Sequence, residues 1–199
     1  MMSRLMKVAL GSCISLSLAL SPVAAIAADA SGPAHIPGSS KVTIGGQESA
    51  VSPEVELKIG DQAPDFTLPN LATDKMESLK DYLGKPIILF FIQSACYSCL
   101  QEAKALKTLK DKYPGMEVIA VGVDLLGKPM LVSWAAHNNI NYPVLLDPIF
   151  SVPEKYGFSF TPSSVIIDKA GKIALTHSGY RGEDLKIFDD KVQELLKAN

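Results

Sequence analysis

The chain has 199 residues, 47% of them apolar, and a formal net charge of -2. This length and apolar fraction are sufficient for one domain with a buried core. The sequence contains no basic block or basic stripe, so nucleic acid is not expected as a partner.

The first 27 residues have the three parts of a secretory signal peptide. MMSRLMK is basic, VALGSCISLSLAL is apolar, and Ala25-Ile26-Ala27 fits the small-x-small cleavage rule. We therefore expect export to the periplasm or another extracytoplasmic space, with removal of residues 1–27. Two alternatives remain open. One is an uncleaved N-terminal membrane anchor, and the other is lipidation at Cys13, although the apolar run continues past that residue.

Residues 28–56 are rich in Gly, Ser, Pro and Ala and show no helical or strand period. We interpret them as a flexible linker or N-terminal extension. The composition changes at Leu57, and residues 57–199 form the predicted domain. Its first part contains two short strand signals, FTL and the start of MESLKDYLGKP, which we interpret as an N-terminal hairpin.

The remaining segments alternate between strand and helix patterns. IILFFI is a continuous apolar run, typical of a central strand that is covered on both faces. A helix follows and ends at Pro114-Gly115. MEVIAVGVD and YPVLLD predict two further strands with the helix MLVSWAAHNN between them. SSVIID and KIALTHSG predict a strand hairpin, and a last helix closes the chain. This order predicts an α/β fold of three layers, a central mixed β-sheet with helices on both faces.

Cys96 and Cys99 are the only cysteines outside the predicted signal peptide. Cys96 stands directly after the predicted central strand and at the start of a helix. Unpaired backbone N–H groups and the positive end of the helix dipole favour a thiolate there. Cys99 lies one turn further along, on the same face and deeper. We predict that Cys96 is the attacking nucleophile and Cys99 the resolving thiol.

Three other interpretations of the cysteine pair are weaker. A structural staple closes too short a loop to restrict the unfolded chain appreciably. A zinc site usually needs four ligands, and the sequence has no second close pair of Cys or His. Two unrelated buried thiols would leave their position at a strand-to-helix junction unexplained. We therefore predict no metal and no cofactor other than the redox-active disulfide itself.

Several segments in order, among them IGDQAPDFTLPN, GKPIILFFIQSACYSCLQE and YGFSFTPSSVIIDKAGKI, resemble exported thioredoxin-like proteins. The nearest group is the TlpA/ResA type of thiol-disulfide oxidoreductase, and the resemblance extends from Leu57 to Lys197. It implies a thioredoxin-like fold and a cis peptide bond between Thr161 and Pro162 that faces the disulfide. An ordinary turn proline is the alternative.

The resemblance also implies where a substrate binds. The backbone of Thr161, before the proline, would receive the substrate chain as a short added strand. Tyr97 and Ser98, between the two cysteines, would touch that chain. Gly179, after the last strand, matches a glycine of the substrate groove, and a simple turn glycine is the alternative.

The sequence departs from the thioredoxin pattern in its proton acceptor. Thioredoxin has a buried aspartate six residues before the first cysteine, and here Phe90 holds that place. Asp124, at the end of the next strand, and Glu102, just after the cysteine pair, are the candidates for the acid/base. A surface aspartate and a solvated helix glutamate are the respective alternatives. Ala95 and the Tyr97-Ser98 dipeptide also differ from the family's usual residues. Two consequences are open: an altered redox potential, or slower exchange that is specialised for one partner.

The resemblance implies a monomer that exchanges disulfides with exported proteins, more often as a reductant, for example on apocytochrome c thiols. It also implies electrons from a membrane thiol reductant. Peroxidase activity is disfavoured, since Gln93 replaces a threonine and the only mature arginine is Arg181. The alternatives from other classes are a redox-inactive binding module of the same fold and a copper-handling protein.

Overall fold

A computed structural model describes residues 57–198. The predicted signal peptide, Cys13 and the predicted linker lie outside the described residues. The strands are β1 (Thr67–Pro69), β2 (Met76–Ser78), β3 (Ile87–Ile92), β4 (Glu117–Gly122), β5 (Val144–Leu146), β6 (Ser163–Ile167) and β7 (Ile173–Ser178). The helices are α1 (Tyr97–Lys112), α2 (Lys128–His137), α3 (Ser151–Lys155) and α4 (Asp184–Lys197), with one 3₁₀ turn at Leu79–Tyr82.

The main sheet contains five strands in the order β5-β4-β3-β6-β7. β3, β4 and β5 are parallel, whereas β6 and β7 are antiparallel to their neighbours. β1 and β2 form a separate antiparallel hairpin. The predicted mixed sheet and the predicted N-terminal hairpin are therefore confirmed. The parallel connections through α1 and α2 bring the carboxyl ends of β3 and β4 to one edge, where a ligand site is expected in an α/β sheet.

Every residue of β3 is buried, as the continuous apolar run predicted. Successive side chains of a strand point to opposite faces of its sheet. Ile88, Phe90 and Ile92 face a cluster that includes residues of α1, α2 and α4. The intervening residues face the second cluster, which contains the 3₁₀ turn and α3. Helical segments thus cover both faces, and β3 is the central element on which the site is built.

The helix α1 begins where the sequence predicted, with Cys96 as its N-cap residue. It ends at Lys112, two residues before Pro114, which lacks a backbone donor. Ala103, Leu106 and Leu109 form a buried stripe at helical spacing. Glu102 also lies among these buried residues. The sequence had left two alternatives for it, a solvated residue of the helix or an acid/base.

The last helix, α4, packs on the same face of the sheet as α1. Phe188 and Val192 are fully buried, which confirms the predicted last helix as part of the core. Asp189 of α4 accepts hydrogen bonds from Tyr113 at 2.7 Å and Lys112 at 2.8 Å, which fixes the two helices against each other. Between residues 57 and 198, no helix is both long and apolar enough to span a bilayer.

Candidate active site

Cys96 and Cys99 form a disulfide at the start of α1, with their Cα atoms 5.2 Å apart. The backbone N–H of Cys99 donates to Sγ of Cys96 at 3.1 Å, and the Ser98 hydroxyl lies 3.4 Å from the same sulfur. Cys96 is half-buried, whereas Cys99 is completely buried. Tyr97 is 74% exposed beside them. Of the two cysteines, only Cys96 is in part exposed to solvent, as a residue that meets a partner thiol must be.

Asp124 organises the loop that leads to Cys96. One carboxylate oxygen accepts from the backbone N–H of Ser94 at 2.9 Å and from its hydroxyl, and the other accepts from Leu126 N–H at 2.8 Å. Asp124 is only 5% exposed, so the alternative of a surface aspartate is wrong. Burial raises the pKa of the carboxyl, but these hydrogen bonds outweigh it and hold the pKa below its usual value. Both oxygens are thus occupied by donors that stabilise the charged form.

Glu102 lies one turn after Cys99, on the same buried face of α1. Its exposure is 0%, so the alternative of a solvated glutamate is wrong. The hydroxyl of Ser164 donates to Oε1, while Oε2 has no hydrogen-bond partner among residues 57–198. The pKa of Glu102 is raised to about 8, mainly by burial and in part by the charge of Asp184, against the opposing effect of the Ser164 hydrogen bond.

Three strands place a row of side chains beneath Glu102. Phe90 of β3 pairs with Ser164 of β6, and Ser164 pairs with His177 of β7. The ring of His177 meets the Phe188 ring edge-on at 5.2 Å, and its Nε2 lies 3.1 Å from a carboxylate oxygen of Asp184. Phe90, at the position where thioredoxin has an aspartate, supplies no acid.

Sequence reasoning did not identify Ser164, His177 or Asp184 as site residues. The signal for Ser164 and His177 lies in the pairing register of the hairpin with IILFFI, which sets both polar side chains on one face of the sheet. Asp184 lies on α4, outside this register.

The peptide bond between Thr161 and Pro162 is cis, as the resemblance implied. The Thr161 hydroxyl donates to the side-chain oxygen of Gln93 at 3.3 Å, and the carbonyl of Gln93 accepts from the N–H of Cys96 at 3.2 Å. Gly179 N–H donates to the carbonyl of Pro162 at 2.8 Å, with a φ of 78°. The turn before β6 is therefore tied both to the loop before the disulfide and to the end of β7.

A pocket of about 460 Å³ opens beside this cluster. Its lining comprises Ser98, His177, Ser178, Gly179, Tyr180, Arg181 and Asp184. The pocket thus connects the segment between the cysteines with the end of β7 and the start of α4. Among the described residues, no group of three or more His, Cys, Asp and Glu side chains is arranged to hold a metal ion.

Comparison with known proteins gives a consistent picture. The model of the AhpC/TSA family matches residues 59–176. ResA of Bacillus cereus, a thiol-disulfide oxidoreductase, is 31% identical over 148 residues, which are 73% of this chain and 81% of that protein. The thioredoxin-like protein YneN of Bacillus subtilis is 32% identical over 63% of this chain and 75% of its own length.

A crystal structure from Chlorobium tepidum, described as a thiol:disulfide interchange protein DsbE, superimposes with a TM-score of 0.67 at 31% identity. The match covers 71% of this chain and 99% of that one. With the cysteine pair at the head of α1, these similarities confirm the thioredoxin-like fold. The chain belongs to the AhpC/TSA family and is a thiol-disulfide oxidoreductase of the ResA and DsbE type.

Proposed function

We propose that this oxidoreductase works outside the cytoplasm and reduces disulfides in other exported proteins, as a step such as cytochrome c maturation requires. The observation that carries the proposal is the difference between the two sulfurs, since Cys96 is half-buried and Cys99 completely buried above a buried carboxyl. The predicted signal peptide of residues 1–27 supports the location.

Reduction of a substrate then takes two displacements. The thiolate of Cys96 attacks one sulfur of the substrate disulfide, that bond breaks, and the other substrate sulfur leaves as a thiolate. Cys99 gives up its proton and attacks the Cys96 sulfur, which forms the Cys96–Cys99 disulfide and releases the second substrate thiolate. Two electrons pass to the substrate. A membrane thiol reductant is proposed to restore the dithiol by the reverse exchange.

Glu102 is proposed as the acceptor of the Cys99 proton. It lies on the same face of α1, and its Oε2 has no hydrogen-bond partner within the described part of the chain. Its raised pKa, about 8, lies near that of a thiol and suits proton transfer at neutral pH. Asp124 is less suited, because its oxygens already accept hydrogen bonds from Ser94 and Leu126.

The substrate chain is proposed to lie across Tyr97, Ser98 and the backbone of Thr161. Thr161 is partly exposed, and its hydroxyl donates to Gln93 in the loop before Cys96, so its peptide groups lie where an extended segment can pair with them. Gly179 would form the opposite side of the groove, where the pocket opens beside Ser98.

The test is to trap the intermediate. Cys99→Ser is expected to accumulate a mixed disulfide between Cys96 and an exported protein, and Cys96→Ser to accumulate none. Trapping through Cys99 instead would contradict the assigned roles. The reduction potential of the pair decides the direction: a value near thioredoxin's, about -270 mV, supports a reductant, and one near -120 mV would make the protein an oxidant.

A further inference from the structure

The carboxyl of Glu102 has no direct contact with water, because the side chain is fully buried between α1 and the sheet. Its pKa of about 8 means that it is mostly protonated at neutral pH. If Glu102 accepts the proton of Cys99, it must first release its own, and it must release the new one after each cycle. The protein therefore needs a route by which this proton reaches solvent.

Polar side chains lead from Glu102 toward the pocket. The Ser164 hydroxyl is bonded to Oε1 of Glu102, and Ser164 is directly opposite His177 in the β6–β7 pair. Side chains that are directly opposite in an antiparallel pair have Cβ atoms about 5 Å apart and face the same side. His177 in turn lines the pocket of about 460 Å³, together with Asp184 and Arg181.

Asp184 fixes the ring of His177. Its Oδ2 lies 3.1 Å from Nε2, within ion-pair distance, although the angles do not meet those of a hydrogen bond. The same oxygen accepts from the backbone N–H of Arg181 at 2.6 Å, so the carboxylate is itself held in place. The Phe188 ring packs edge-on against the imidazole. The imidazole is thus held against α4 with Nε2 buried, while the residue remains part of the pocket wall.

We propose that His177, oriented by Asp184, is a positioning residue that exchanges the proton of Glu102 with water in this pocket through the hydroxyl of Ser164. The inference rests on the proposed role of Glu102. The Ser164 hydroxyl donates to Glu102 in this structure. A serine hydroxyl can also accept, so when Oε1 is protonated the hydroxyl turns to accept that proton as it passes its own to the imidazole. Histidine is the side chain whose charge ordinarily changes near neutral pH, which suits it to a relay.

The charges around Glu102 determine in which direction each substitution should shift its ionisation. The titratable groups that face it are Cys99 on α1, His177 on β7, Asp184 on α4, Tyr142 before β5 and Tyr180 after β7. Asp184 opposes the ionisation of Glu102. A proton on His177, whose Nε2 lies 3.1 Å from the Asp184 carboxylate, would offset that charge. Loss of the imidazole should therefore favour the protonated form of Glu102, and loss of the Asp184 charge should favour the ionised form.

The experiment uses the full mature chain in its reduced form and an aromatic disulfide, dithiobis-nitrobenzoate, as the probe. Attack by Cys96 releases one coloured thiolate in a phase that depends on probe concentration. Attack by Cys99 on the resulting mixed disulfide releases the second in a first-order phase. Both phases are followed across pH 5–9 in the wild type, His177→Gln, Asp184→Asn, Glu102→Gln and the control His137→Gln, which changes an exposed histidine of α2.

We expect His177→Gln to slow the second phase about tenfold near neutral pH, less than loss of a direct acid/base. In His177→Gln the pH midpoint of the second phase should move upward, and in Asp184→Asn it should move downward. Imidazole in the buffer should restore the second-phase rate of His177→Gln. The rate of the first phase should not change in His177→Gln, and neither rate should change in the control His137→Gln. A second phase that is unaltered in His177→Gln, or a loss that imidazole does not restore, overturns the relay.

The same data separate this inference from the function on which it rests. If Glu102→Gln slows the second phase but His177→Gln does not, the relay alone fails. If Glu102→Gln leaves the second phase unchanged, the proposed proton acceptor fails and the relay with it. If the wild type releases only one thiolate, the cysteine pair does not cycle, and both proposals are overturned.

Discussion

Asp124 and Ser94 join the ends of two neighbouring strands through two hydrogen bonds, one from the backbone N–H of Ser94 at 2.9 Å and one from its hydroxyl. Ser94 lies two residues before Cys96, so this contact sets the path by which the chain passes from β3 into α1. Asp124 therefore acts on the cysteine pair from a distance, through the backbone.

Replacement of Asp124 by asparagine should destabilise the protein by about 1–3 kcal/mol at pH 7, because an amide group cannot accept all three hydrogen bonds. The folded pKa of Asp124 is lowered, so the stabilisation is present above the unfolded pKa, about 3.9, and is lost as pH falls through the folded value. Urea unfolding at pH 7 and pH 3 should show the difference shrinking in acid. Asp190→Asn, at an exposed position, is the control. An equal loss at both pH values would mean that the charge is irrelevant.

For Glu102 we expect the opposite dependence of stability on pH. Because burial raises its folded pKa to about 8, the native state holds a proton that the unfolded state releases near pH 4.5. The stability of the oxidised wild type should therefore fall between pH 5 and 9, by a few kcal/mol at most. Glu102→Gln carries no charge and should lack this decline. Parallel pH curves for the two proteins would contradict the raised pKa, and Glu194→Gln, an exposed change, should follow the wild type.

Ser164→Ala tests the hydrogen bond to Glu102. That bond favours the carboxylate, so its loss should raise the pKa of Glu102 further and extend the decline in stability to higher pH. The matched control is Ser163→Ala on the same buried strand, where the hydroxyl donates to the Phe160 carbonyl at 2.9 Å instead. Both variants should lose about 1 kcal/mol. Only Ser164→Ala should alter the pH dependence in urea unfolding, and identical pH profiles would refute the contact.

Gly122→Ala should destabilise the protein through overpacking. A Cβ atom at this position, the last residue of β4, would overlap the fully buried side chain of Leu131 in α2. The expected cost is about 1–3 kcal/mol, measured by urea unfolding. Gly182→Ala, where a Cβ meets nothing within 4 Å, serves as the control. If both variants were equally stable, α2 would have room to move away from the sheet.

The sequence allowed prediction of the features that depend on local pattern. The apolar run of β3, the position of Cys96 at the head of α1 and the hairpin of β6 and β7 all follow from spacing between near neighbours. Burial of Glu102 did not follow, because its only hydrogen-bond partner within residues 57–198 is Ser164, which lies 62 residues away in the chain. A polar residue on an amphipathic helix is ordinarily solvated, and only the strand register shows the exception.

Asp124 illustrates the same limit. Aspartate at the end of a strand is common on protein surfaces, and the pattern around it gives no sign of burial. Its partner Ser94 is 30 residues earlier and reaches it only because β3 and β4 are parallel neighbours. Local sequence therefore identified the reacting sulfurs, while the side chains around them depend on the tertiary fold.

The position of β3 in the middle of the sheet also bears on how the chain folds. Its pairing with β4 joins segments separated mainly by α1, but its pairing with β6 brings together residues such as Ile88 and Ile166, 78 positions apart (166 - 88). Closing so long a loop costs conformational entropy before any contact between its ends can stabilise the structure. We therefore expect the β3–β4 unit, with its cysteines, to form early. The turn of Pro162 should reach the cysteines late, so that the dithiol is exposed to oxidants in its surroundings before the proposed substrate groove exists.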